Sequence, residues 1–136
     1  STLFPSPSPF RSRFNLLQVG LKSMSFVANN QPFFDALNKE LHRKLGMHEG
    51  KAYVSIWNDY FLKTFLASFP NTEISKRLGG IAEELEPLEK LKSICKILDS
   101  GGISHKNYSR PLSFNPSQIN YGLREKRGFL ASIFGK

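Results

Sequence analysis

The sequence predicts an all-α protein, a small bundle of about four short helices with extended basic N- and C-terminal arms. Apolar residues in the middle of the chain recur at the three- and four-residue spacing of one helix face. Asn, Pro and Gly flank these stretches where helices usually begin and end. No run alternates apolar and polar residues as a half-buried strand does. We therefore divide the chain into an N-terminal arm (1–22), a helical domain (23–98) and a C-terminal arm (99–136).

Length and composition exclude several classes of protein. The chain has 136 residues, with 19 Lys and Arg against 11 Asp and Glu, and a formal net charge of +8. This length is typical of one domain. The lone cysteine, Cys95, excludes an intramolecular disulfide and a cysteine-cluster metal site. No stretch approaches the roughly 18 consecutive apolar residues of a membrane span, so we expect no transmembrane segment.

The first predicted helix covers residues 30–45. Asn30 is a favourable N-cap, Pro32 suits the first turn, and Gly46 suits the position after the last turn. The apolar residues form a stripe that should face the core. They are Phe33, Phe34, Leu37, Leu41 and Leu45.

The second predicted helix covers residues 50–69 and ends before Pro70. In its second half Leu62, Leu66 and Phe69 fall on the continuation of the polar stripe, so this half is apolar on all sides. Two arrangements account for such a helix. It is either central in the bundle, or it presents these three residues to another molecule.

Beyond Pro70, Asn71 or Thr72 can cap a third helix. Gly79 and Gly80 interrupt this helix, so we expect it to be kinked or split there. Its apolar residues are Ile74, Leu78, Ile81, Ala82 and Leu85.

A fourth helix begins at Pro87, which suits a first turn, and is closed by Gly101 and Gly102. Its apolar face contains Leu88, Leu91, Cys95 and Leu98.

Catalytic signals are weak. His42, His48 and His105 show no i, i+4 pairing that would place two ligands on one helix face, so we expect no metal and no cofactor. Cys95 lies on the same predicted helix face as three leucines, so we expect it to be a small core residue. The one local group that could serve a small basic nuclease is His105, Lys106 and Arg110, and we keep this enzyme as a contrasting hypothesis.

The positive charge is concentrated in the arms. Residues 1–22 hold three basic and no acidic residues. Residues 23–98 hold ten basic and nine acidic residues, and residues 99–136 hold six basic and two acidic residues. Pro, Gly, Ser and Asn are frequent in both arms, which disfavours independent folding. We therefore expect a host molecule to order the arms, or else the arms to wrap around their own domain. The candidate electrostatic contacts are Arg11, Arg13, Lys106, Arg110, Arg124, Lys126 and Arg127.

The end of the chain has the pattern of an amphipathic anchor. Phe129, Leu130, Ile133 and Phe134 fall on one side of a helix that would follow a basic cluster. A groove on a partner protein, a membrane interface in a peripheral contact and the protein's own bundle are the three candidate sites for this anchor.

These features favour a non-catalytic accessory or scaffold subunit that docks into a larger protein assembly through its arms. The alternative is an RNA-contacting peripheral protein of a ribonucleoprotein such as an organellar ribosome. Residues 1–34 contain no acid and seven Ser or Thr, a composition that resembles an organellar transit peptide. This composition favours an organelle, with the mitochondrion first, over the cytoplasm as the location.

Overall fold

The computed structural model of the protein describes residues 24–46, 50–100, 103 and 105–122. Within these residues the chain forms six α-helices and no strand, which confirms the predicted all-α fold. The helices are α1 Met24–Asn29, α2 Gln31–Leu45, α3 Lys51–Ser68, α4 Glu73–Gly79, α5 Pro87–Ser100 and α6 His105–Tyr108. A 3-10 turn, Pro116–Gln118, follows α6. No helix in the described ranges is long and apolar enough to cross a membrane.

Helix α2 has the predicted extent, but the Asn30 side chain does not cap it as predicted. Gly46 ends it in the left-handed conformation, with φ at +69°, and its N–H bonds to the carbonyl of His42 at 2.7 Å. Asn30 occupies the N-cap position, yet its side chain makes no capping bond. Its Nδ2 donates instead to the carbonyl of Phe26 at 2.9 Å, because Asn30 lies buried in the turn that joins α1 to α2.

Helix α3 is the central helix, and it contacts α2, α4 and α5. This is the first of the two arrangements that its all-round apolar sequence predicted. The rings of Phe34, Trp57 and Phe61 stack across the contact between α2 and α3, with centroids 5.5–6.0 Å apart. The buried residues of α3 are Tyr53, Val54, Ile56, Trp57, Asn58, Tyr60, Phe61, Thr64 and Phe65.

Helix α4 begins at a predicted cap but ends earlier than the sequence predicted. Thr72 is the N-cap, since its Oγ1 accepts a bond from the N–H of Ser75 at 3.2 Å. Asn71 lies in the preceding turn with φ at +66°. The helix ends at Gly79, so the interruption predicted at the glycine pair is a complete stop. Ile81, Ala82 and Leu85 therefore lie in turns between α4 and α5 rather than on a helix.

Helix α5 begins at Pro87 as predicted and runs to Ser100. The side chain of Asn58 in α3 donates to the Pro87 carbonyl at 2.9 Å, which ties the start of α5 to the central helix. Its buried face consists of Leu91, Ile94 and Leu98.

Two parts of the packed unit differ from the prediction. Helix α1 was not predicted, because six residues are too few for a periodic pattern, yet Phe26 and Val27 are buried in the core. The core also continues past Leu98, the predicted end of the helical domain. Apolar side chains from the predicted C-terminal arm belong to it: Ile103, Tyr108, Leu112 and Ile119 are 6–7% exposed.

Candidate interaction surfaces

The described residues contain no group of three or more His, Cys, Asp or Glu that could bind a metal ion. His42 is exposed on α2. Burial raises the pKa of the Cys95 thiol to about 12, and the Asp99 carboxylate adds to this shift. Because the thiol therefore stays protonated at neutral pH, it fits the predicted core role better than that of a nucleophile.

The three apolar residues predicted to face a partner at the end of α3 differ in exposure. Leu62 and Leu66 are half-buried, and Leu62 packs against the core. Phe69 is 4% exposed, and its ring lies 4.9 Å from the ring of Phe65 and 5.2 Å from the ring of Tyr108. Phe69 is therefore packed into the chain's own core, next to Phe65 and Tyr108.

A segment that we call the strap, residues 110–121, crosses the face formed by α2 and α3. Its polar contacts with the bundle begin at Leu112, whose N–H donates to Asn30 Oδ1 at 2.7 Å. The Tyr60 hydroxyl then accepts from the N–H of Asn115 at 2.8 Å and donates to the Asn115 carbonyl at 3.1 Å. Near the end of the strap, Lys63 Nζ lies 3.4 Å from the Gln118 carbonyl.

The apolar contacts of the strap follow the same path. Leu112 and Ile119 are buried, and the half-buried Phe114 packs edge-on against the rings of Phe33 and Tyr60, with centroids 6.3 and 6.0 Å away. At the far end Lys44 Nζ lies 5.3 Å from the centroid of the Tyr121 ring. The strap is therefore held against α2 and α3 by both apolar and main-chain contacts.

A second surface feature is an open groove of about 260 Å³ between α4 and α5. Two exposed cationic residues, Arg77 and Lys96, line it together with Ile81, Leu85 and Ile97. Leu85 is 38% exposed and is the one large apolar residue in the described part of the chain that lies at the surface.

Few of the predicted contact residues fall in the described structure. Lys106 lies in α6, in the same four-residue helix as His105, and Arg110 is exposed at the start of the strap. The remaining candidates lie outside the described residues. They are Arg11, Arg13, Arg124, Lys126, Arg127, Phe129, Leu130, Ile133 and Phe134.

Two polar residues that hold the strap were not among the predicted site residues. The sequence predicts a helix cap at Asn30, and it does not distinguish Tyr60 from the other aromatic residues of α3. The sequence indicates the contacts of Asn30 and Tyr60 only indirectly. In the strap, Leu112, Phe114 and Ile119 are apolar residues in a segment otherwise rich in turn formers.

No protein-family model matches this chain, and neither a curated protein nor a solved structure matches it.

Proposed function

We propose that the chain is a non-catalytic accessory or scaffold subunit that docks into a larger protein assembly through its basic flanks. The main support for this proposal is the distribution of charge along the chain. Residues 24–122 hold twelve basic and ten acidic residues, so the packed unit is nearly neutral. Residues 1–23 hold three basic and no acidic residues, and residues 123–136 hold four basic and one acidic. The flanks therefore account for six of the eight net positive charges.

The composition of the C-terminal flank supports a protein surface as its partner. Aromatic and aliphatic residues with scattered Arg are typical of the energetically dominant part of protein interfaces. Four apolar side chains of about 1.5–3 kcal/mol each, when fully buried, can offset the cost of ordering a short segment. These side chains are Phe129, Leu130, Ile133 and Phe134.

The packing of the strap reduces the part of the chain that we propose to contact a partner. Because Leu112 and Ile119 are buried against the chain's own bundle, the central part of the predicted C-terminal arm is not available to a partner in this arrangement. We therefore assign the contacts to residues 1–23 and 123–136, with Arg110 as an additional exposed cation.

Affinity purification of the full chain from its native cells tests the proposal, with two matched triple variants of the C-terminal flank. One variant removes apolar anchors (Phe129→Ser, Ile133→Ser and Phe134→Ser), and the other removes charge (Arg124→Gln, Lys126→Gln and Arg127→Gln). A control removes the same charge from exposed bundle residues (Lys39→Gln, Lys76→Gln and Lys92→Gln). We expect the anchor variant to lose its co-purifying proteins and the bundle control to keep them.

Salt and ribonuclease separate the competing functions. An RNA-held protein releases its partner steeply between low and moderate salt and after ribonuclease treatment, whereas a protein held by apolar anchors does neither. RNA cleavage that is lost in His105→Ala would favour the nuclease instead. Equal co-purification with all three variants contradicts the docking role.

A further inference from the structure

The open groove between α4 and α5 brings apolar, cationic and acidic residues together on one surface. Ala82 and Leu85 both line it, so Glu83 and Glu84, which lie between them in the turn, form part of its rim. We propose that this surface is a homodimer interface, in which two copies of the chain pack groove to groove about a twofold axis. The proposal does not depend on the docking role of the basic flanks, because it concerns only the packed unit.

The apolar centre of the groove is partly exposed. Leu85 is 38% exposed, and Ile81 and Ile97, which line the same groove, are half-buried. One exposed leucine is ordinary on a protein surface. Leu85 differs because it lies at a concavity of about 260 Å³, which is larger than a leucine side chain. Across a twofold axis, the Leu85 side chain of each copy can therefore enter the groove of the other copy.

The charged residues around this centre have both signs. Arg77 on α4 and Lys96 on α5 are exposed and line the groove. Glu83 and Glu84 are also exposed, and neither forms an ion pair within the described part of the chain, whereas Glu86 does. The same surface therefore presents two cations beside two acidic residues that have no ion-pair partner in the described chain.

Twofold symmetry can pair these charges. In a symmetric dimer, a residue of one copy that contacts a second residue of the other copy is matched by the reverse contact across the axis. The cations of each copy then face the acidic residues of the other. A purely acidic partner would be repelled by Glu83 and Glu84, and the chain's own cationic C-terminal flank would be repelled by Arg77 and Lys96. The charges therefore favour a second copy of the chain as the partner.

The net charge of the chain is compatible with this contact. Residues 24–122 hold twelve basic and ten acidic residues, so the packed unit contributes only two of the eight net positive charges. At an ionic strength of about 0.15 M, repulsion between exposed charges more than about 8 Å apart is largely screened. Because the groove is small, we expect a weak dimer that forms as the protein concentration increases.

Sedimentation equilibrium of the purified full chain measures this association, at protein concentrations from about 10 µM to about 1 mM. We expect the average mass to rise with concentration towards twice the monomer mass. Leu85→Ser should weaken the association on the order of tenfold or more, because it removes the apolar centre from both copies. The side chain is partly exposed in the monomer, so helical circular dichroism should be unchanged.

Charge reversal gives a more specific test. The cation variant, Arg77→Glu with Lys96→Glu, places only acidic residues around the groove. The acid variant, Glu83→Lys with Glu84→Lys, places only basic residues there. Each variant alone should remain monomeric, whereas an equimolar mixture of the two should form a heterodimer, because each then has the charges that complement the other.

A matched control separates the groove from the overall charge. Lys39→Glu with Arg110→Glu changes the net charge by the same amount as the cation variant, at exposed positions that do not line the groove. We expect this control to associate within about twofold of the unsubstituted chain, as surface substitutions outside an interface do.

Three results would overturn the proposal. The first is a chain that stays monomeric at every concentration. The second is a dimer that Leu85→Ser and both charge variants leave unchanged; if the anchor variant of the C-terminal flank abolishes that dimer, the contact belongs to the flank. The third is a mixture of the two charge variants that does not associate although the control does, because the charges of the two copies then do not face each other.

Discussion

The side chain of Asn30 connects three separate parts of the chain, and its removal tests how the strap is held. It is 2% exposed, and it donates to the Phe26 carbonyl at 2.9 Å and accepts from the Leu112 N–H at 2.7 Å. We expect Asn30→Ala to lower the free energy of unfolding by about 1.5–4.5 kcal/mol, since both bonds lie in buried surroundings.

The two lost bonds differ in cost. The Leu112 N–H loses the acceptor that it has in the buried strap, and an unsatisfied buried donor costs about 1–3 kcal/mol. The Phe26 carbonyl keeps its bond from the Asn30 backbone N–H at 3.1 Å, so the second loss is about 0.5–1.5 kcal/mol. The neighbouring Asn29 is exposed at the end of α1 and provides a matched control.

Urea denaturation, followed by far-UV circular dichroism, measures the change for Asn30→Ala and Asn29→Ala. We expect the control to stay within about 0.5 kcal/mol of the unsubstituted chain, as most surface substitutions do. A third variant, Asn30→Asp, buries a carboxyl group whose pKa burial raises, so its stability should fall as the pH increases from about 4 to 7. If Asn30→Ala costs no more than Asn29→Ala, the buried bond to the strap does not stabilise the fold.

Three further predictions concern the bundle. Gly46→Ala should destabilise the chain by about 1 kcal/mol in urea denaturation, because φ is +69° there, whereas Gly79→Ala, with open space around an added Cβ, should not. Asn38→Ala removes the acceptor 2.8 Å from Trp57 Nε1 and should cost about 1–2 kcal/mol, with a change in tryptophan fluorescence. Cys95, with its pKa raised from 9.0 to about 12, should react far more slowly with a thiol-specific disulfide reagent at pH 8 than in urea, and fast reaction of the folded chain would contradict its burial. Because the folded-state pKa is the higher one, this thiol also makes the fold less stable as the pH rises above 9.

Local chemistry was enough to predict most of the helices. The apolar stripe before Gly46, the stop before Pro70 and the start at Pro87 all depend on residues within one or two helical turns of each other. The same reasoning identified Thr72 as a possible cap, and its bond to the Ser75 N–H is present. These features can be predicted from the sequence because the residues that interact are neighbours in the chain.

The strap and its contacts could not be predicted in this way. Asn30 and Leu112 are 82 positions apart, and Tyr60 and Asn115 are 55 apart, so no local pattern relates them. The sequence by itself determined an all-α protein with a nearly neutral middle and cationic ends. Only the tertiary structure decided that the central part of the C-terminal arm lies on α2 and α3, because burial of Leu112 and Ile119 depends on a surface that exists only after the helices have packed.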